Sequence, residues 1–468
     1  MKKYIVSICL SILSLASCSD WLDVKPKTTV DEEEIFSREL GFKEALTGIY
    51  IKMAATGLYG KELSYGFLDI LGQRYQPSGI GTYQDELWYT FPSTKTEKYT
   101  KAVWGDMYNV IANVNNLLAY CDKKRDVFVT ENYYQIIKGE ALALRAFLHF
   151  DLLRMFGPVY KDNKTARRIA YRTVFSKDVK ELQPSDVVAD SIIADLKQAE
   201  TLLKDTDPLN FEFPVAADEE NLMEGDRFLV YRHKRMNLYA VKALLARVYL
   251  YTGNTTEAER YAREVIDSKL FNFVGNTADL LRSREIIFSV YIDDFDQQVE
   301  NEFSTNGSYY VSDIEFLNEI FDVANDGTND FRIRAGVSFD YSTYGVTLRK
   351  YKQTNMWAST EGTIVLIRLA EMYYILAECA ADASTAAGYL NKVREARGVD
   401  AVTFAEDKRL NEIEKEYRKE FYGEGQLFFF YKRLAYPTFL HCPLQEMTEK
   451  NYMFSWPDNE VLFGKTNE

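Results

Sequence analysis

Between residues 102 and 118 the chain reads AVWGDMYNVIANVNNLL. Val103, Met107, Val110, Val114 and Leu117 recur there at three- and four-residue steps, which puts them on one face of a helix. A second pattern starts near Asn132 and runs through KGEALALRAFLHFDLLRMFGPV. It is apolar on nearly every side from Ala141 to Phe156 and is stopped by Gly157 and Pro158. A helix apolar all round is buried between others. Residues 185–203 repeat the one-faced pattern behind Pro184, with Ser185 placed to cap the helix. Residues 237–251 and 256–266 form a helix pair joined at Gly253-Asn254. Residues 364–381 and 384–397 form another, ending at Gly398. A last helix runs from about Leu410, where Glu414 and Arg418 are spaced to support it. The pattern predicts about four helical hairpins.

Between Leu270 and Gly362 the texture changes to short β-type runs such as IIFSVYI, Asn-Gly and Asp-Gly turns and FSTNGSYYVSD, with one helix near 314–321. Residues 58–100 and the tail after Pro437 have the same irregular, aromatic-rich character. The fold class expected is mainly α: a helical scaffold over about 102–267 and 364–434, with an irregular lobe over about 268–362 and loops 58–100 and 437–468. In the 237–266 pair, Leu245, Ala246, Tyr249, Gly253 and Ala258 resemble the small-and-large pattern of a tetratricopeptide repeat, although Lys242 stands where that repeat prefers tryptophan.

The first residues read as an address. Lys2 and Lys3 precede a run from Tyr4 to Ala16 that is apolar apart from three serines. That is the order of a secretory signal, and the run is shorter than the roughly 20 residues a spanning helix needs. Leu15, Ala16 and Ser17 before Cys18 resemble the lipobox of bacterial lipoproteins, in which the cysteine is lipidated and becomes the new N-terminus. Residues 1–17 are thus expected to leave as a signal peptide, and Cys18 to hold residues 18–468 to a membrane as one unit. Each buried methylene contributes about 0.8 kcal/mol, so several acyl chains make a durable tether.

The 468 residues are 47% hydrophobic and 27% charged, a globular composition. The formal charge of −14 becomes −16 once Lys2 and Lys3 depart. Such a chain lacks the basic stripe of nucleic-acid binders, and no nucleic-acid partner is expected. Beyond Cys9 and Cys18 only Cys121, Cys379 and Cys442 remain, without metal or disulfide spacing, and Cys379 in YYILAECAA reads as a small buried hydrophobe. Aromatic residues make up 14%, with 33 tyrosines, which suits surfaces apolar in the middle and hydrogen-bonding at the edge.

Together, the lipobox followed by SDWLDV, VWGDMYNVIANVNNLL, GEALALRAFLHFDLLRMFGPV, ARVYLYTGNTTEAERYAREVI, IRLAEMYYILAECA with LNKVREARG, and EKEYRKEFYGEGQLFFFYKR resemble the SusD/RagB family of outer-membrane lipoproteins. The resemblance covers essentially the whole mature chain. It implies a tetratricopeptide-type scaffold carrying an irregular ligand-binding lobe, tethered outside the outer membrane. It also implies a SusC-like, TonB-dependent β-barrel as partner, to which captured oligosaccharide, or in a RagB-like minority peptide, is handed. Two departures stand out. Gly425 is followed by Gln426 where the family often has an arginine soon after, with no functional loss expected because that element is structural. Asn329-Asp330-Phe331-Arg332 resembles the family's Asp-Pro-Arg turn with phenylalanine for proline.

No catalytic residue is expected. The chain has only His149, His233 and His441, and His149, inside RAFLHFDLLR, reads as a buried, hydrogen-bonded helix residue. A glycosidase needs two carboxylates about 5 to 10 Å apart across a cleft; Asp293, Asp294 and Asp296 in YIDDFDQQ read instead as a solvated loop. DVANDGTND fails as a calcium loop, with Ala324 and Ile333 at ligand positions. No metal or cofactor is expected. Sugar binding asks for flat aromatic faces with polar edges, each hydrogen bond adding about 1 kcal/mol. Arg74, Tyr75, Tyr83, Asp85, Trp88 and Tyr89 in RYQPSGIGTYQDELWYTF form such a set, and Tyr309, Tyr310, Tyr341, Tyr344 and Trp357 could form the other wall. The expected function is capture of oligosaccharide or polysaccharide. Peptide capture, surface glycoside hydrolysis and a protein-binding repeat scaffold are the alternatives.

Overall fold

The computed structural model describes residues 32–76, 83–90, 94–209, 227–275, 277–304, 309–311, 313–352 and 360–464. Cys18, the expected signal peptide and Trp357 lie outside the described residues.

Helix α1 (Glu39–Met53) packs on α2 (Thr94–Lys123), which extends the predicted 102–118 helix in both directions. Next come α3 (Tyr133–Phe156), α4 (Ser185–Leu203), α5 (Leu238–Thr252) and α6 (Thr255–Asp267). After the lobe follow α8 (Leu369–Cys379), α9 (Ala383–Ala396), α10 (Arg409–Glu420) and α11 (Leu427–Leu434), the label α7 belonging to Ile314–Ile320 within the lobe. Packing runs in series: α2 on α3, α3 on α4, α4 on α5, α5 on α6, α6 on α8, α8 on α9 and α9 on α10. Each pair covers the apolar face of the one before, as in a helical solenoid.

Helix α3 is the centre of the stack. Every residue from Gly139 to Phe156 is buried, so its polar side chains must find partners. Glu140 accepts from Arg232 at 2.6 Å, Arg235 at 3.0 Å and the Tyr50 hydroxyl at 2.7 Å. Arg145 makes a two-point contact with Asp195 at 2.7 and 2.8 Å. His149 donates from Nδ1 to the Arg145 carbonyl at 2.8 Å and accepts the Arg172 N–H on Nε2 at 2.9 Å.

Side-chain caps mark four of these starts: Asn237, Asn254, Asp313 and Asp382 accept the N–H groups of Ala240, Glu257, Glu315 and Thr385. Ser185 does not cap α4; it is the first helical residue, and its hydroxyl donates to the Ala166 carbonyl at 2.9 Å. Lys242 reaches across the α5–α6 hairpin to Glu264 at 2.8 Å, an ion pair at the position where the repeat pattern prefers tryptophan.

One predicted helix is partly a strand. Residues 364–368 belong to β5 (Thr363–Arg368), which pairs antiparallel with β1 (Ile286–Tyr291), Val290 opposite Ile364. The run TIVLIR is apolar without a break, so periodicity cannot separate strand from helix, and the β1 edge decides it. The chain passes from β5 directly into α8. A second sheet has the order β2–β4–β3, formed by β2 (Tyr310–Val311), β3 (Phe339–Ser342) and β4 (Gly345–Leu348). Near the C-terminus lies α12 (Asp458–Phe463). Cys121 is buried and Cys379, expected to be buried, is half-buried. No helix among the described residues is long and apolar enough to cross a membrane.

Candidate functional site

The irregular lobe meets the scaffold through a nest of tyrosines. Tyr65 and Tyr75 each lie edge-on to Tyr309 at 5.3 Å, Tyr75 lies edge-on to Tyr422 at 5.3 Å, and Tyr83 stacks on Tyr99 at 5.1 Å. The hydroxyls are satisfied inside the nest. Tyr83 donates to Glu62 at 2.9 Å and sits 2.8 Å from the Tyr309 hydroxyl. Burial pushes both phenols and the Glu62 carboxyl up, so the neutral, donating phenol is the form present.

Beneath this nest Asp69 accepts the N–H groups of Gly423 at 2.6 Å and Gly425 at 2.9 Å. Both glycines have left-handed backbone, and a Cβ at Gly425 would meet the carbonyls of Leu63 and Ser64 at 2.9 Å, so the glycines of the EG element are required by close approach. Burial raises Asp69 to about 6 against the pull of Arg74 and these N–H groups. Arg74 donates to the carbonyls of Arg418 and Tyr417, and its guanidinium stands 5.1 Å from the Tyr422 ring centre.

The predicted binding residues therefore divide. Arg74, Tyr75, Tyr83, Tyr89 and Tyr309 are at most 3% exposed; they join lobe to scaffold and offer no face to a ligand in this structure, which corrects the expectation for these five. Trp88, Tyr341 and Tyr344 are exposed by 53%, 39% and 77%, and Asp85 is half-buried beside Trp88. Tyr310 lies on β2 and pairs with Thr347.

The exposed set is held firmly. Trp88 closes a turn of helix (Gln84–Leu87) flanked by Tyr83 and Tyr89, both with left-handed backbone at φ 56° and 53°. For a bulky residue that conformation costs on the order of 1–3 kcal/mol and persists only where the surroundings enforce it. Here they do: the Tyr89 hydroxyl donates to the Leu71 carbonyl, Gln73 donates to the Leu87 carbonyl at 2.9 Å, and Thr96 donates to Glu86 at 2.9 Å. Gln73 and Glu86 have no motif that marks them; their trace in the sequence is polarity inside an aromatic stretch. Tyr344 sits on the β3–β4 turn, where its N–H donates to the Ser342 hydroxyl at 3.2 Å, and the Tyr341 hydroxyl donates to the Ile333 carbonyl at 2.5 Å.

The other candidate motifs resolve into structure. Asp293 and Asp294 are exposed at the end of β1. The acids of DVANDGTND are ion-paired: Asp322 with Lys415 at 3.1 Å, Asp326 with Arg394 at 2.8 Å, and Asp330 with Arg332 at 2.6 Å. Gln426 accepts from Arg154 at 3.1 Å, so the residue after Gly425 remains part of the frame. Among the described residues no group of three or more histidine, cysteine or acidic side chains is arranged to hold a metal.

Two family models match the chain, the SusD family over residues 285–459 and a family described as starch-binding and associating with outer membrane over residues 20–213. SusD-like protein P2 of Formosa agariphila is 27% identical over 209 residues, 44% of this chain and 39% of that protein; the next curated relative is matched over 51% of its length. A SusD-like carbohydrate binding protein from Bacteroides vulgatus superposes with a TM-score of 0.70 at 18% identity, covering 91% of this chain and 96% of that one. A laminarin binding SusD-like protein superposes with a TM-score of 0.65 at 18% identity, covering 92% and 98%. At these identities the likeness to the solved structures is one of fold.

Proposed function

We propose, from the premise that the chain belongs to the SusD-like family, that it is a non-catalytic glycan-binding lipoprotein. It is anchored through Cys18 on the outer face of the outer membrane and passes oligosaccharide to a SusC-like, TonB-dependent β-barrel. The observation that carries the reading is the exposed Trp88 indole on a turn bracketed by two left-handed, buried tyrosines. A large apolar ring held in water on a strained, heavily braced platform is what stacking against the C–H face of a sugar requires. Tyr341 and Tyr344 add two further exposed aromatic rings on the lobe, and Asp85 supplies an edge for hydroxyls. Support from outside the chain comes from the starch-binding description of the family matched at residues 20–213 and from the laminarin-binding relative.

The test is electrophoresis of the soluble protein, beginning after Cys18, in native gels cast with a panel of polysaccharides, each polymer checked afterwards for cleavage. Retardation by one polymer that is lost in Trp88→Ala, without cleavage, is the expected result. Cleavage of the polymer would overturn the non-catalytic reading, and retardation unchanged in Trp88→Ala would remove that face from the site.

A further inference from the structure

A separate cleft of about 420 Å³ opens between α2 and the C-terminal helix α12, with the loop after residue 169 along its edge. Its volume falls within the range of roughly 300–1,000 Å³ typical of small-ligand sites. Trp104, Tyr108 and the 75%-exposed ring of Phe463 give it an aromatic lining. Arg172, Lys177 and Lys180 stand on the loop side, and Asp178 and Glu460 also line the cleft. None of the residues read as ligand-binding from the sequence lies here.

The loop carrying Arg172 is fixed in place by buried groups. The Tyr108 hydroxyl donates to the Ala170 carbonyl at 3.1 Å and accepts the Ala170 N–H at 3.2 Å. The Arg172 N–H donates to His149 at 2.9 Å, and its carbonyl accepts from Asn115 at 3.0 Å. His149 is fully buried, and burial holds it neutral, which leaves Nε2 free to accept. The Arg172 guanidinium turns back on its own loop, donating to the Ser176 carbonyl at 2.7 Å.

The charge here departs from the rest of the molecule. The chain carries −14 overall, yet this cleft is lined by three cations and two anions. Among the described residues, Arg172, Lys177 and Lys180 form no ion pair, whereas the buried arginines Arg145, Arg232, Arg332 and Arg397 are all paired with carboxylates. Partial desolvation, and then the guanidiniums of Arg172 and Arg145, hold the Lys180 ammonium below its usual range, as expected where positive charge is in excess.

We infer that this cleft is a second binding site, and that it takes an acidic sugar: a short saccharide whose carboxylate or sulfate meets Arg172 and Lys180 while Trp104, Tyr108 and Phe463 flank its ring. The inference rests on the reading of the chain as a glycan binder but does not use the Trp88 face. A guanidinium held on a fixed backbone without a carboxylate partner is prepared for such an anion, and Glu460 and Asp178 remain as acceptors for hydroxyls.

The test is titration calorimetry of the soluble protein with trigalacturonate, a sulfated galacto-oligosaccharide and the neutral galactotriose, repeated with Arg172→Ala and Lys180→Ala. Lys180 is exposed and its ammonium donates to the Tyr171 carbonyl at 2.5 Å, so thermal melts check that both variants keep the fold. At least one acidic sugar should bind more tightly than galactotriose and weaken by about tenfold in each variant, the loss of one charge-assisted hydrogen bond. The two acidic arms tell carboxylate from sulfate as the recognised group. Equal affinity for acidic and neutral sugars, or acidic binding indifferent to both variants, overturns the second site. So does the absence of acidic binding by a protein whose polysaccharide retardation still depends on Trp88, and in that case the proposed function stands.

Discussion

Arg332 Nη1 donates to Glu420 Oε2 at 2.8 Å, with both side chains no more than 2% exposed. The contact is one link of a buried chain of charge. Arg332 also pairs with Asp330 at 2.6 Å and Glu416 at 3.0 Å; Arg397 bridges Glu285 and Glu420, both at 2.6 Å; and Arg368 pairs with Glu420 at 2.9 Å. These residues come from the 330–332 turn, the turn just before β1, the end of β5, the residue that follows α9 and from α10, so the chain of charge ties the lobe to the helical stack.

Arg332→Met is expected to destabilise the protein by about 3–5 kcal/mol, because three carboxylates would remain buried without their shared cation. The check is the urea midpoint against wild type. A change below about 1 kcal/mol would mean that the network is not what holds lobe to scaffold.

Acid should weaken the fold in two stages. Burial brings His149 from 6.5 down to about 3, even though it donates to the Arg145 carbonyl. The unfolded imidazole thus takes up a proton near pH 6.5 and the folded one does not until about 3, so stability is complete above about pH 7 and drains as pH falls between these values. Burial alone would raise Glu416, but Arg332, Lys419 and Arg394 outweigh it and hold the carboxyl at about 2, so a second loss adds below about pH 4.5. Denaturant midpoints at pH 7 and pH 5 should differ less in His149→Gln than in wild type. An equal difference would show that His149 takes up its proton as readily in the folded state as in the unfolded one.

Tyr83→Phe and Trp88→Ala should separate structure from binding. Tyr83→Phe removes the donor to buried Glu62 and the contact to Tyr309, and is expected to cost about 1–2 kcal/mol. Trp88→Ala, at an exposed position, should stay within about 0.5 kcal/mol of wild type while abolishing polysaccharide retardation. A reversal of the two effects would show the indole to be packing and the nest to be the site.

Thiol labelling offers a check on packing. Burial pushes the Cys121 thiol up to about 12 and the Cys379 thiol to about 12, so neither forms much thiolate at pH 8. Iodoacetamide under native conditions should leave both unmodified within an hour, and in urea should label both, as read by mass spectrometry of peptides. Native labelling of Cys121 would mean that the end of α2 opens far more readily than its packing allows.

The sequence by itself determined the helical stack. Residues 133–156, 185–203 and 238–252 carry their apolar pattern, and 238–252 also its Asn237 cap, within a few residues of where these act, and such local causes can be read without knowing the fold. The same holds for the burial of His149, which an all-apolar helix requires. What only the tertiary structure decided was direction in the irregular segments. Whether TIVLIR became strand or helix depended on β1, far away in the chain. Tyr83 and Trp88 stand five residues apart in one aromatic run, yet one is 2% exposed and the other 53%. That difference is set by Glu62, Tyr99 and Tyr309 closing around Tyr83, contacts between segments brought together by folding, which no periodicity in a loop encodes. The pinning of Arg172 by Tyr108, Asn115 and His149 is of the same kind: each residue is legible as a helix position, and their convergence on one loop is a property of the packed stack.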